Sequence, residues 1–177
     1  MKHPLSVLMR FFLLCFCAPA QAAGPQAHVH GVVQVDVAVQ ADLLSINLDA
    51  PLDSLLGFER EPRNDAERRA ADEVLTRLKS GTGLFSADAA AQCTLSKATV
   101  SAPVLEAAAG SVAKGAHAEL AASYEFRCAQ AGQLRILDVG LFDAFKRIQR
   151  IDVQVAGARG QVKATLKRPI RSVRLIR

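Results

Sequence analysis

Alternation of apolar and polar side chains between residues 29 and 39 is the feature that most constrains how this chain folds. Valine occupies positions 29, 33, 35, 37 and 39, and polar residues lie between them at His30, Gln34 and Asp36. Because successive side chains of a strand point to opposite faces, this pattern predicts a strand with one apolar face. Apolar residues alternate again from Leu44 to Leu48 and predict the hairpin partner. The chain is therefore predicted to build a sheet from antiparallel hairpins.

Further periodic segments complete the prediction of the fold. Residues 65–79 carry an apolar stripe at helical spacing, with Asn64 or Asp65 as a cap and Gly81 after the end. Strands are predicted over 93–102 and 116–128, a last hairpin over 151–155 and 161–166, and either a strand or a short helix over 134–145. We therefore predict an α+β fold: a mainly antiparallel sheet built from hairpins, with one or two packed helices, in a single domain.

Residues 1–22 have the pattern of a secretory signal peptide. Lys2 and Arg10 supply the positive charges of a short first region, and an apolar segment follows. Alanines at positions 18, 20 and 22 fit a cleavage site. The apolar segment is shorter than the roughly 20 residues that a membrane-spanning helix needs. We expect residues 1–22 to be removed and residues 23–177 to form one exported domain.

Cys93 and Cys128 are the two cysteines that remain after this cleavage. An even pair in an exported chain predicts a disulfide. Two thiolate metal ligands are the alternative, which an oxidising compartment and the lack of a CxxC spacing disfavour. On the chain-entropy model the bond would contribute roughly 4 kcal/mol by closing a loop of about 36 residues.

The histidines of the mature chain point to a metal site. The sequence has four histidines, of which His28, His30 and His117 follow the signal peptide. On extended strands His28 and His30 would share one face, and His117 would share a polar face with Glu119. Three such ligands suit zinc, with a fourth position left open. We predict that these histidines, with Glu119 as an oxygen ligand, bind Zn²⁺; copper also accepts imidazole ligands. Exposed histidines that bind no ion are the alternative.

Sequence motifs of catalysis are absent. The sequence contains no GxSxG elbow, no glycine-rich phosphate loop and no HExxH pair. Acidic pairs such as Glu59 and Glu61 are interpreted as surface charges. We therefore predict that the protein is not an enzyme.

Basic residues concentrate at the C-terminus. The formal net charge is +5, and residues 146–177 hold ten lysines and arginines against one acid, Asp152. This segment predicts either a solvated hairpin face or a surface for an acidic partner or anionic lipids. An alternative function is thus a metal-independent envelope interaction protein that uses the basic C-terminal hairpin. Nucleic acid is not an expected partner, because few aromatic residues could stack on bases.

Ordered motifs along the mature chain resemble one protein family. They are His28-Val-His-Gly31, Gly57-Phe-Glu59, His117-x-Glu119, Tyr124-Glu-Phe-Arg-Cys128 and Ile151-Asp-Val-Gln-Val155. This set resembles the ZrgA-type family of bacterial periplasmic proteins. The resemblance implies a non-catalytic, zinc-binding accessory of zinc uptake in the periplasm, with a zinc importer component as a candidate partner. Members commonly carry a histidine-rich tract where this chain has residues 105–115 without histidine. Zinc capture by such a tract is therefore not expected, and only the three histidines carry over as candidate zinc ligands.

Overall fold

The structure, a computed structural model, describes residues 29–106 and 118–175. Its strands are β1 (Val32–Gln40), β2 (Leu43–Pro51), β3 (Phe85–Ala87), β4 (Cys93–Ser101), β5 (Glu119–Cys128), β6 (Ile136–Val139), β7 (Arg150–Gly157), β8 (Gly160–Leu166) and β9 (Ser172–Arg174). Its helices are α1 (Leu52–Leu56), α2 (Asp65–Ser80), α3 (Pro103–Glu106) and α4 (Leu141–Ala144). The predicted signal peptide, His28 and His117 lie outside the described residues.

A six-stranded sheet with the order β4-β5-β2-β1-β7-β8 forms the larger layer. Neighbouring strands are antiparallel except for β1 and β7, which are parallel. Alternation places Val33, Val35 and Val37 on the buried face of β1, whereas Gln34 and Asp36 lie on the opposite, exposed face. The predicted α+β class with a mainly antiparallel sheet in a single domain is confirmed.

The second layer covers the apolar face of this sheet. It consists of α2 and a three-stranded sheet with the order β3-β6-β9, and both layers contribute to one core. Tyr124 of β5 is fully buried, and its hydroxyl donates a hydrogen bond of 3.0 Å to the carbonyl of Leu78 in α2. Burial raises the pKa of this hydroxyl, so it remains a neutral donor. None of the helices in the described ranges is long and apolar enough to span a membrane.

Helix α2 begins and ends at the residues that its capping signals indicate. The side chain of Asn64 accepts a hydrogen bond from the amide of Glu67, and Gly81 follows with φ of 66°. An N-cap side chain satisfies one of the free amides of the first turn, and a left-handed residue closes the last turn. The predicted helix is confirmed.

The predicted disulfide between Cys93 and Cys128 is confirmed. The two residues lie directly opposite each other on β4 and β5. Their sulfurs bond to each other and are therefore not thiolate ligands for a metal.

Two sequence interpretations change in the structure. The strand predicted from Val29 begins only at Val32, because a turn precedes it. The ambiguous segment 134–145 is neither all strand nor all helix: β6 is followed at Gly140 by α4. The short strands β3 and β9 have three residues each, which is too few to show an alternating pattern.

Candidate metal centre

A tight turn before β1 presents His30. The amide of Val32 donates to the carbonyl of Val29 at 3.0 Å, and Gly31 has φ of 77°. A positive φ at the third position of such a turn favours glycine. His30 occupies the second position and its side chain is 69% exposed. The prediction that His30 belongs to the strand is wrong, because Gly31 bends the chain before the strand starts.

Helix α1 and the loop after it carry two carboxylates to the same place. Leu52 and Leu55 are buried and attach this short helix to the core, which leaves Asp53 partly exposed. Gly57 ends the helix with φ of 87° and donates its amide to the carbonyl of Asp53 at 2.9 Å. The chain then turns so that Glu59 approaches His30 from the other side.

His30, Asp53 and Glu59 form the candidate centre, which we call the His30 cluster. Nδ1 of His30 lies 3.3 Å from Oδ2 of Asp53, and Nε2 lies 3.5 Å from Oε1 of Glu59. One ligand atom from each residue lies within 4.8 Å of the other two. Imidazole nitrogen and carboxylate oxygen are both zinc ligands. One nitrogen can bind the ion while the other donates to a carboxylate, as zinc-bound histidines generally do.

Backbone hydrogen bonds attach the turn of His30 to the sheet. The carbonyl of Gly31 accepts from the amides of Gln149 and Arg150, at 2.8 and 3.0 Å. A Cβ at Gly31 would lie 3.1 Å from Cγ of Gln149, so the close approach also favours glycine. The cluster is therefore held by backbone as well as by side chains.

Of the four predicted ligands, His30 and Glu119 lie within the described residues, and they occupy different places. His30 lies in the cluster, whereas His28 and His117 lie outside the described residues. Glu119 begins β5 opposite Pro51 and is not a member of the His30 cluster. The charge of Glu119 instead influences Asp49. The pKa of Asp49 is raised chiefly by burial and then by the negative charges of Asp36 and Glu119. Glu119 thus belongs electrostatically to the exposed face of the large sheet.

Sequence reasoning missed both carboxylates of the cluster. Glu59 was interpreted as a surface charge, but its carboxylate lies next to the imidazole of His30. Asp53 follows the end of a strand and has no distinguishing pattern around it. The only available signal was the Gly57-Phe-Glu59 motif, which belongs to the set that carries the family resemblance.

Several arginines of the basic C-terminal segment have partners within the fold. The guanidinium of Arg168 donates to the carbonyls of Ile148 and Phe142, at 2.7 and 3.0 Å, and lies over the ring of Phe142. Arg171 forms ion pairs with Asp138 and Asp143. These two cations stabilise the fold, which weakens the case for the segment as a free basic docking surface.

The fold and the His30 cluster together describe a small α+β protein with an exposed imidazole–carboxylate group that suits a divalent cation. Comparison with known families gives a narrower assignment. Residues 27–175 match the ZrgA family zinc uptake protein, and the chain therefore belongs to this family, as its motifs predicted. This is a zinc uptake family and not an enzyme family, which supports a zinc-related role. A search among curated proteins found no match.

Proposed function

We propose that the protein is a periplasmic accessory of zinc uptake or buffering, and that it binds zinc at the His30 cluster. The observation that carries this proposal is the convergence of one imidazole and two carboxylates from separate parts of the chain. Membership of a zinc uptake family supports the choice of metal. The predicted signal peptide supports the location.

Two further histidines are proposed to complete the ligand set. His28 is separated from His30 by a single residue. His117 precedes Ala118, whose carbonyl accepts a hydrogen bond of 2.8 Å from the amide of Leu52, the neighbour of Asp53. Ala118, the described neighbour of His117, thus lies next to α1, the helix that carries Asp53, which supports His117 as a candidate. Glu119, two residues after His117, stays a proposed oxygen ligand.

The donor set suits zinc, and it leaves Cu²⁺ as the competitor. Nitrogen and oxygen ligands suit both ions, whereas Cu⁺ prefers sulfur, and the two cysteines of the mature chain are joined to each other. Competition between zinc and copper for the purified protein measures which ion the site prefers.

The position of the cluster suits a metal that is exchanged. Structural zinc sites are shielded from solvent, and small domains that depend on them are unfolded without the metal. Here the side chains of His30 and Glu59 are 69% and 38% exposed, outside a complete hydrophobic core. We infer that zinc is cargo and that the fold forms without it.

Zinc titration of the mature protein and of three variants of the His30 cluster tests the proposal. We expect one zinc per chain, and about tenfold weaker binding or more in His30→Ala, Asp53→Asn and Glu59→Gln. Asp72→Asn, an exposed acid on α2, is the matched control and keeps the affinity. Less than one zinc per chain, or unchanged affinity in all three variants, contradicts the proposed site. His28→Ala, His117→Ala and Glu119→Gln then test the remaining ligands.

A further inference from the structure

Ser54 stands out because its polar side chain is completely buried. Among residues 29–106 and 118–175, it is the only buried residue with a polar or charged side chain apart from Tyr124. A buried hydroxyl is costly unless it is hydrogen-bonded. Its partners therefore indicate why a serine is present on the core side of α1.

Both partners of Ser54 belong to the candidate metal centre. Its Oγ accepts a hydrogen bond of 3.0 Å from the amide of Gly31, the residue after His30. The same Oγ donates to Oδ1 of Asp53 at 3.3 Å. A hydroxyl has one donor and two acceptor sites, so one side chain links the turn of His30 to a carboxylate of the cluster.

The second hydrogen bond gives the two carboxylate oxygens of Asp53 different partners. Oδ1 is held by Ser54, and Oδ2 faces Nδ1 of His30 at 3.3 Å. Outer hydrogen bonds of this kind orient metal-binding carboxylates and commonly change metal affinity when they are removed. The hydroxyl thus fixes which oxygen is directed at the imidazole.

We propose that Ser54 is a positioning residue of the metal centre, an inference that rests on the proposed zinc function. It fixes the distance between His30, on the turn before β1, and Asp53, on α1. The rival role is purely structural: Ser54 would satisfy the buried amide of Gly31 and have no influence on zinc. A positioning role predicts that loss of the hydroxyl weakens zinc binding. A purely structural role predicts a loss of stability with no change in zinc affinity beyond it.

Three variants separate these roles. Ser54→Ala removes the hydroxyl, and Ser54→Thr keeps it. Tyr124→Phe removes the other buried hydroxyl, which donates to a backbone carbonyl of α2 and lies outside the cluster. We expect Ser54→Ala to weaken zinc binding about 10–100-fold and to alter the Co²⁺ absorption spectrum. In Ser54→Thr and Tyr124→Phe, the zinc affinity and the Co²⁺ absorption spectrum should stay close to those of the wild type.

Two results overturn the inference. One is a folded Ser54→Ala protein that binds zinc as tightly as wild type while His30→Ala does not bind. The other is an equal loss of affinity in Tyr124→Phe, which would mean that affinity follows stability alone. A wild-type protein that binds no zinc overturns the proposed function itself, and this inference with it, so the two failures are distinguishable.

A measurement on the wild-type protein covers the case of a variant that does not fold. If Ser54 couples the metal to the turn, zinc should slow hydrogen exchange at the amide of Gly31, which donates to Ser54. The amide of Gly81, which donates to carbonyls of α2, is the internal control and should slow by no more than the global stabilisation by zinc requires. Equal exchange at Gly31 with and without zinc counts against the role of Ser54.

Discussion

Gly57 and Gly83 share a backbone conformation but differ in their surroundings, and this difference offers a test of how the loop places Glu59. Their φ angles are 87° and 71°. A Cβ at Gly57 would lie 2.6 Å from Cζ of Arg147, whereas a Cβ at Gly83 meets nothing within 4 Å. Alanine at either position costs about 1–2 kcal/mol of backbone strain. Only at Gly57 must a neighbouring side chain also move.

We therefore predict that Gly57→Ala and Gly83→Ala lose similar unfolding free energy, but that only Gly57→Ala weakens zinc binding. Gly57 lies between Asp53 and Glu59 in the chain, so a distorted turn changes the separation of the two carboxylates. Urea unfolding and zinc titration of both variants measure the two effects. Equal zinc affinity in the two variants would show that the turn is not needed to place Glu59.

At the scale of single residues, the sequence indicated the histidine of the candidate centre but not its two carboxylates. His30 could be found because the sequence has only four histidines. Acidic residues are frequent on every protein surface, so Asp53 had no distinguishing pattern and Glu59 had only its place in the Gly57-Phe-Glu59 motif. Their convergence depends on a five-residue helix that ends at a left-handed glycine, and periodicity does not detect an element so short.

At the scale of elements, predictions succeeded where local signals agreed. The caps of α2 at Asn64 and Gly81 stand at both ends of a long apolar stripe, and cap and stripe both predict a helix. The strands β3 and β9 depend on pairing with β6, which is information that only the folded chain contains. The turn at Gly31 was read as strand because its neighbours continue the alternating pattern.

The first turn of α2 is stabilised by Glu67, and this makes stability depend on pH. Its carboxylate accepts two hydrogen bonds from the guanidinium of Arg60, at 2.7 and 2.9 Å, and one from the amide of Arg63 at 2.7 Å. These bonds lower the pKa of Glu67 from 4.5 to about 2. Between these values the unfolded chain binds more protons than the folded one, so stability rises with pH.

We predict that this contribution of Glu67 is complete above about pH 4.5 and is lost as the pH falls towards 2. Glu67→Gln removes it and flattens the pH dependence of the unfolding free energy in that range. Glu73→Gln, an exposed acid on the same helix, is the control and leaves the slope unchanged. Urea unfolding between pH 2 and pH 6 measures the slopes, and equal slopes in wild type and Glu67→Gln would contradict the assignment.

At the scale of the whole molecule, the core and the candidate metal centre are separate. The buried residues of both layers form one cluster, and the His30 cluster lies at its surface. We predict that a chelator leaves the far-ultraviolet circular dichroism of the protein unchanged. Zinc at a hundredfold excess over its Kd should raise the unfolding free energy by about 2.7 kcal/mol. This increase should disappear in His30→Ala, and unfolding by the chelator would instead identify a structural zinc.

The disulfide and the candidate metal centre lie at opposite ends of β5. β5 has ten residues, from Glu119 to Cys128, so at about 3.4 Å per residue its ends are roughly 30 Å apart. The residue before β5 is hydrogen-bonded to the start of α1, next to Asp53. Its last residue forms the disulfide with Cys93.

Reduction should therefore lower stability without changing the metal centre. We predict a loss of up to about 4 kcal/mol of unfolding free energy, and a lower Tm, because the bond closes a long loop of the unfolded chain. Below the reduced protein's Tm, the zinc affinity should equal that of the oxidised protein. Calorimetry and zinc titration with and without reductant test both parts, and Cys93→Ala/Cys128→Ala controls for effects of the reductant on zinc. A loss of zinc affinity in the folded, reduced protein would show that β5 couples its two ends.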